Sequence, residues 1–151
     1  MWFSRKQVAK ETPPGSNTGA LAQPVQITTK RLGDAAESLA LAHLARAGMK
    51  LVQANYRTPG RGGGEVDLVM RDKDGTLVFV EVRHRKGMLH GGAAASVSPV
   101  KQRRIIFAAR HFLMRFASLP PCRFDVVTVQ GSLDAPETVA VEWLRGAFDA
   151  G

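Results

Sequence analysis

Two strand-like runs separated by a turn signal limit the possible folds of this chain more strongly than any other segment. The stretch from Gly64 to Lys86 reads GEVDLVMRDKDGTLVFVEVRHRK. Side chains alternate with a period of two in Glu65 to Met70 and again in Thr76 to Arg85, as expected of β-strands. We therefore predict a hairpin that turns around the segment Asp72-Lys73-Asp74-Gly75.

The length of the hairpin loop decides which side chains face each other. A three-residue loop closed by a left-handed glycine at Gly75 would place Asp67 opposite Glu81. A loop of two or four residues would put the two acids on opposite faces, because a shift of one residue inverts every side chain. We favour the first register. Opposed carboxylates repel each other, but a divalent cation between them would make the pair a binding site.

Composition narrows the class of protein. The 151 residues suit a single domain, and 44% hydrophobic residues are enough for a buried core. No apolar run approaches the roughly 18 residues of a membrane span, and the N-terminal segment lacks the apolar stretch of a secretory signal. The single cysteine, Cys122, excludes a disulfide framework and fits a reducing compartment. We expect a cytoplasmic protein with no membrane partner, a disordered tail over residues 1–28 and a domain over residues 29–149.

The positive charge is unevenly distributed. The net charge is +8, and the segment from Val82 to Phe124 contains no acidic residue. Such a distribution is typical of a face that binds a polyanion, although a merely solubilising surface gives the same pattern. Because the basic segment begins directly after Glu81, we predict that the partner is nucleic acid. The residues expected to contact its backbone are Arg57, Arg61, Arg85, Lys86, Arg103 and Arg104.

A helix is predicted before the hairpin, from about Lys30 to Ala47. Glu37 lies at the border of its apolar stripe, and Gly33 leaves open space one turn away. Glu37 is either an ordinary surface glutamate paired with a nearby base or a carboxylate that faces a cleft.

A second helix is predicted after the hairpin. Ser98 is suited to cap it and Pro99 to occupy its first position, and we expect it to run until the Pro120-Pro121 pair. Lys101 and Gln102 lie at its positive N-terminal end, where both suit an anion.

Three further strands complete the predicted fold, at Met49 to Ala54, Arg123 to Gln130 and Thr138 to Leu144. The fold class is α/β, with a mixed sheet of about five strands flanked by helices in the order α-β-β-β-α-β-β. A glycine-rich loop over residues 58–64 lacks the Gly-Lys-Ser/Thr ending of a P-loop. It is either a mobile loop that approaches a ligand or a simple connector.

These motifs together resemble one family. The hairpin is preceded by GDAAESLALAHLARAGMKLVQANYR and followed by SVSPVKQRRI. From about Leu32 to Val129 the chain looks like the YraN-like family of small bacterial endonuclease-like proteins. The resemblance implies a restriction-endonuclease-like core, similar to Holliday junction resolvases and the wider PD-(D/E)xK nucleases. It also suggests a homodimer, since related resolvases act on two-fold junctions.

The resemblance assigns roles to particular residues. Its metal-facing positions match Glu37, Asp67, Glu81 and the backbone carbonyl of Val82. The lysine of the motif is replaced here by Arg83, which can stabilise a transition state but cannot serve as a general base. Lys101 or a metal-bound hydroxide would then supply what Arg83 cannot. Gln102 resembles the helix glutamine that often faces the site in such nucleases.

We therefore expect an endonuclease that hydrolyses phosphodiesters in structured or branched DNA, with DNA preferred to RNA. Carboxylate oxygens select Mg²⁺ or Mn²⁺ as the cofactor. The alternative is a nucleic-acid-binding module on a nuclease scaffold with little or no catalysis, because Arg83 departs from the motif. A protein-interaction domain with incidental charge is a third reading.

Overall fold

The elements form in the predicted order. The computed structural model describes residues 29–85 and 97–151. Its elements are α1 (Thr29–Arg46), β1 (Lys50–Arg57), β2 (Glu65–Arg71), β3 (Leu77–Arg85), α2 (Pro99–Leu113), β4 (Cys122–Gln130), a single 3-10 turn (Pro136–Thr138) and β5 (Ala140–Phe148). Residues 1–28, predicted as a tail, and Lys86, predicted to contact nucleic acid, lie outside the described residues.

One mixed sheet of five strands forms the centre of the fold, in the order β1-β2-β3-β4-β5. Strand β2 is antiparallel to both of its neighbours, β1 and β3, while β3 and β4 are parallel and β4 and β5 are antiparallel. The parallel pair needs a crossover connection, and α2 lies in it. The predicted α/β class and element order are therefore confirmed.

The two helices cover opposite faces of the sheet, as strand alternation requires. On one face, Ala40 and Leu44 of α1 pack with Leu68, Met70 and Val80 of the hairpin. On the other face α2 packs against the sheet; the residues of that cluster include Val69, Leu77, Phe79, Ile105, Ala109, Phe112 and Val126. Among the described residues, no helix is both long and apolar enough to cross a membrane.

Three predicted boundaries were wrong. Strand β1 continues past Ala54, because the pairing of Tyr56 with Val66 carries the ladder on to Arg57. Strand β5 continues past Leu144 to Phe148, whose ring stacks on Phe124 at 5.0 Å between centroids.

Helix α2 ends well before Pro120-Pro121. Its last turn tightens, because the Met114 N–H donates to the carbonyls of His111 and Phe112. The Arg115 Nε also donates to the Phe112 carbonyl, at 3.1 Å. These bonds satisfy the terminal carbonyls, so the helix does not need the prolines to stop it.

Candidate metal and nucleic-acid site

The hairpin turn sets the register on which the site depends. The Asp72 N–H donates to the Thr76 carbonyl and the Gly75 N–H to the Asp72 carbonyl. Gly75 has a φ of +92°, the left-handed conformation that a three-residue loop requires. Leu68 therefore pairs with Val80, and the next position brings Asp67 opposite Glu81. The predicted register is confirmed, and both carboxylates point to the face that α2 covers.

The Asp67–Glu81 pair is buried and shares a hydrogen bond. Burial and the negative charge of Asp67 raise the pKa of Glu81 to about 8. Burial also raises the pKa of Asp67, although the Val82 N–H opposes this by donating to Asp67 Oδ2 at 2.8 Å. The metal-free pair therefore retains a proton near neutral pH. Glu81 is only 3% exposed, and its Oε1 has no hydrogen-bond partner within the described chain.

Two cations lie beside this pair. The Lys101 Nζ is 3.6 Å from Glu81 Oε2 and 3.8 Å from Glu65 Oε2, so the first turn of α2 brings a positive charge to the carboxylates. The Arg83 Nη1 lies 3.8 Å from Glu81 Oε2, two residues further along β3. Both residues lie where the sequence placed them, and Lys101 takes the more enclosed position, with 27% of its side chain exposed against 38% for Arg83.

Glu37 reaches the same site from α1. A cavity of about 650 Å³ opens beside the hairpin, and its lining residues are Gly33, Asp34, Glu37, Asn55, Arg57, Glu65, Val66 and Asp67. Burial and the charge of Asp67 raise the pKa of Glu37 to about 7, while a hydrogen bond from Asn55 opposes the rise. A Cβ added at Gly33 would meet no atom within 4 Å, which confirms the predicted open space. Glu37 therefore faces a cleft together with Asp67.

The acids do not form a finished metal-binding set. In the part of the chain that the structure describes, no group of three or more His, Cys, Asp and Glu side chains is already arranged to hold an ion. The pair nevertheless fits a hard divalent cation, because its donors are carboxylate oxygens and one of them, Glu81 Oε1, is buried with no partner in the described part of the chain. Val82 meets this pair through its N–H, and the role predicted for its carbonyl stays a prediction.

The other predicted residues are less central. The Gln102 Nε2 donates to the Val97 carbonyl at 3.1 Å, so this amide is engaged at the entry to α2 rather than with the carboxylates. Arg85 lies at the end of β3 and is half-buried. Of the arginines predicted to contact nucleic acid, Arg57, Arg61, Arg103 and Arg104 are exposed.

The glycine-rich loop is partly packed rather than a free connector. A Cβ at Gly64 would lie 1.9 Å from the Arg104 carbonyl oxygen, so only glycine allows the loop to contact α2 this closely. The Gly64 N–H donates to Thr58 Oγ1 at 2.8 Å, and Arg104 Nε donates to the Gly63 carbonyl at 3.4 Å. By contrast, a Cβ at Gly62 would meet nothing within 4 Å. The loop is therefore fastened to α2 at one end and open at its tip.

Sequence reasoning missed two residues of this site. The Glu65 carboxylate bridges two basic side chains, since its Oε2 lies 3.8 Å from Lys101 Nζ and its Oε1 lies 3.5 Å from Arg57 Nε. Its position on the same strand face as Asp67 was a usable signal. Asn55 adopts a φ of +54° and hydrogen-bonds to Glu37. Asparagine tolerates that conformation better than most residues, but its partner could not be read from spacing.

Comparison with known proteins places this arrangement in a family. Residues 36–129 match the model of the "Uncharacterised protein family UPF0102", a range that includes Glu37, the hairpin and α2. The chain belongs to the UPF0102 family. The matched range lies within the one that motif resemblance had marked, Leu32 to Val129.

Several UPF0102 proteins are similar over nearly the whole chain. One from Polaromonas naphthalenivorans (strain CJ2) is 65% identical over 152 residues, which cover 99% of each chain. One from Polaromonas sp. (strain JS666 / ATCC BAA-500) is 68% identical over the same coverage. A UPF0102 protein from Paracidovorax citrulli (strain AAC00-1) is 60% identical over 124 residues, which cover 82% of this chain and 87% of that relative.

Proposed function

We propose that this UPF0102 protein is a Mg²⁺- or Mn²⁺-dependent endonuclease of structured or branched DNA that acts in the cytoplasm. The observation that carries the proposal is the Asp67–Glu81 pair, which is opposed across the hairpin and has a buried carboxylate oxygen with no partner among residues 29–85 and 97–151. The motif resemblance to restriction-endonuclease-like nucleases supports the same reading.

The charge around the pair suits phosphodiester hydrolysis. A divalent cation held by these carboxylates would activate a water and neutralise charge on the phosphate. The water oxygen would form a bond to phosphorus in line as the bond from phosphorus to one sugar oxygen breaks, and that sugar oxygen would leave as a hydroxyl, so that the proton lost by the water balances the one it gains. Lys101 and Arg83, both within 4 Å of Glu81, would stabilise the negative charge that develops on the phosphate oxygens.

The role of Lys101 answers the difficulty raised by Arg83. An arginine stays protonated and cannot serve as a general base. Lys101 comes from α2 rather than from β3, yet its ammonium group lies slightly closer to Glu81 than the guanidinium does, at 3.6 Å against 3.8 Å. We assign to it the electrostatic role that the motif lysine would have.

A cleavage assay tests the proposal. The purified chain is incubated with a four-way junction, a flapped duplex and a blunt duplex of equal length, in Mn²⁺, Mg²⁺ or EDTA. Wild type should cut a branched substrate only with a metal. Glu81→Gln should lose at least about a hundredfold in rate while DNA binding survives. The matched control is Glu142→Gln, an exposed glutamate on β5 that should cut normally.

The second candidate function is a nucleic-acid-binding module without catalysis. It is favoured by Arg83 at the lysine position and by the incomplete set of ligands among the described residues. Wild type that binds branched DNA but cuts no substrate with any divalent metal would establish this second function and exclude the first.

A further inference from the structure

The outer face of α2 carries an apolar stripe among positive charges. Val100, Phe107 and Met114 are seven residues apart, so they lie along one side of the helix and its C-terminal end. They are 59%, 53% and 77% exposed. Arg103 and Arg104 are exposed on the same side, one turn before Phe107. An ordinary solvated helix face does not expose three large apolar side chains in line.

This face is continuous with the proposed catalytic site. Lys101 contacts Glu81 at one end, and one turn later Arg104 contacts the glycine-rich loop through the Gly63 carbonyl. Phe107 follows after one more turn. The helix rise from Lys101 to Phe107 is about 9 Å and the two side chains lie about 120° apart around the axis, so a strand bound at the carboxylates would pass over Arg104 to reach Phe107.

Charge decides which partner fits the stripe. Helix α2 contains one lysine and three arginines, and it has no acidic residue. A second copy of the same face would therefore bring like charges together. A polyanion would not, and Phe107 is the one aromatic among the large apolar side chains that are exposed in the described chain.

We propose that Phe107 is a stacking platform for an unpaired base, with the arginines of α2 along the adjoining backbone. Aromatic rings among basic residues bind single strands in this way, because every base has a face that can stack. The substrate would then carry unpaired nucleotides beside the scissile phosphate. This inference rests on the proposed function and specifies its substrate class.

The test compares Phe107→Ala and Phe107→Trp with the control Leu119→Ala, which removes another exposed apolar side chain (72% exposed) beyond the end of α2. Fluorescence anisotropy measures binding to a flapped duplex and to a blunt duplex. Phe107→Ala should weaken binding of the flapped duplex by roughly tenfold to a hundredfold and leave the blunt duplex unchanged. Phe107→Trp should retain binding and show quenched fluorescence, while Leu119→Ala should match wild type.

Several outcomes would overturn the inference. Phe107→Ala that behaves like Leu119→Ala on both DNAs excludes stacking. If light scattering shows that wild type is a dimer and that Phe107→Ala is a monomer, this face is a protein interface instead. Mn²⁺ calorimetry and DNA binding on wild type separate the two proposals. A wild type that binds Mn²⁺ but binds flapped and blunt duplexes equally well rejects the stacking role alone, whereas a wild type that binds neither metal nor DNA rejects both.

Discussion

Asp67 and Glu81 show what burial does to two carboxylates held face to face. Burial raises the pKa of each, and their shared hydrogen bond, which needs a proton, raises the pKa of Glu81 further while it lowers that of Asp67. Lys101 and Arg83 oppose this rise for Glu81 but do not cancel it. At the scale of the residue, the site is therefore a pair of buried carboxylates that repel each other when both are ionised, and an additional positive charge would reduce this repulsion.

The raised pKa values predict a pH-dependent stability. Glu81 has a pKa near 4.5 when unfolded and about 8 when folded, so the folded metal-free chain binds the proton more tightly. This contribution is fully present below about pH 4.5 and is lost as the pH rises through 8. Between pH 5 and pH 8, in urea unfolding without metal, the free energy of unfolding of wild type should fall by about 1–3 kcal/mol more than that of Glu81→Gln, whose side chain cannot ionise. Equal losses in Glu81→Gln, wild type and the control Glu142→Gln would show that Glu81 is not protonated.

Metal binding at neutral pH should release protons for the same reason. Calorimetry of Mn²⁺ binding at pH 7 in two buffers of different ionisation enthalpy measures this release. Wild type should liberate a fraction of a proton to about one proton per ion, since the proton held by the pair must leave. Identical heats in the two buffers would contradict the shared proton.

At the scale of the elements, the loop and α2 are fitted together through Gly64. We expect Gly64→Ala to destabilise the fold by about 3 kcal/mol or more, because its methyl group would meet the Arg104 carbonyl oxygen. Gly33→Ala is the matched comparison. It lies within α1 with open space around it, so alanine should stabilise the helix by about 0.5–1 kcal/mol. Thermal midpoints that move in the same direction for both variants would refute this account.

A second buried carboxylate serves structure rather than chemistry. Asp125 is 0% exposed and accepts hydrogen bonds from Arg123, Trp143 and the Gly146 N–H. Asp125→Ala should cost about 3–5 kcal/mol, because it leaves these donors unpaired. Folded Asp125→Ala should still bind Mn²⁺ like wild type. Weakened metal binding in the folded variant would mean that this network also supports the site.

The sequence predicted the hairpin and its register because they depend on local chemistry. The segment Asp74-Gly75 specifies a turn, and alternation specifies the faces of two strands. The ion pair between Asp125 and Arg123, two residues apart on the same face of β4, is a local contact of the same kind. The contacts of Asp125 with Trp143 and Gly146 depend on the pairing of β4 with β5, and local pattern does not encode that pairing. The extra length of β5 was missed for the same reason.

At the scale of the whole molecule, the acidic side chains and the exposed basic side chains of the site lie on different parts of the fold. Asp67 lies on β2 and Glu81 on β3, while exposed arginines project from β1, the glycine-rich loop and α2. The position of Glu37 could be guessed from Gly33, but its approach to Asp67 required the packing of α1 on the sheet. Sequence periodicity does not predict contacts of this kind between residues that are far apart along the chain.

This distribution predicts salt-dependent DNA binding. If about three to five phosphates are neutralised, the logarithm of the association constant should fall with the logarithm of salt concentration with a slope of about −2.7 to −4.5. Arg103→Ala should reduce the steepness by about one unit without changing sequence preference. A slope near zero would favour the protein-interaction reading over both nucleic-acid readings.

The central claim is that Asp67 and Glu81 together bind a divalent cation. Titration of Mn²⁺ into wild type and into Asp67→Asn by calorimetry tests it without any assumption about the substrate. The account predicts saturable binding of one or more ions to wild type and a loss of at least about tenfold in affinity in a folded Asp67→Asn. Equal Mn²⁺ affinity in the two proteins, or no binding by wild type, would contradict it.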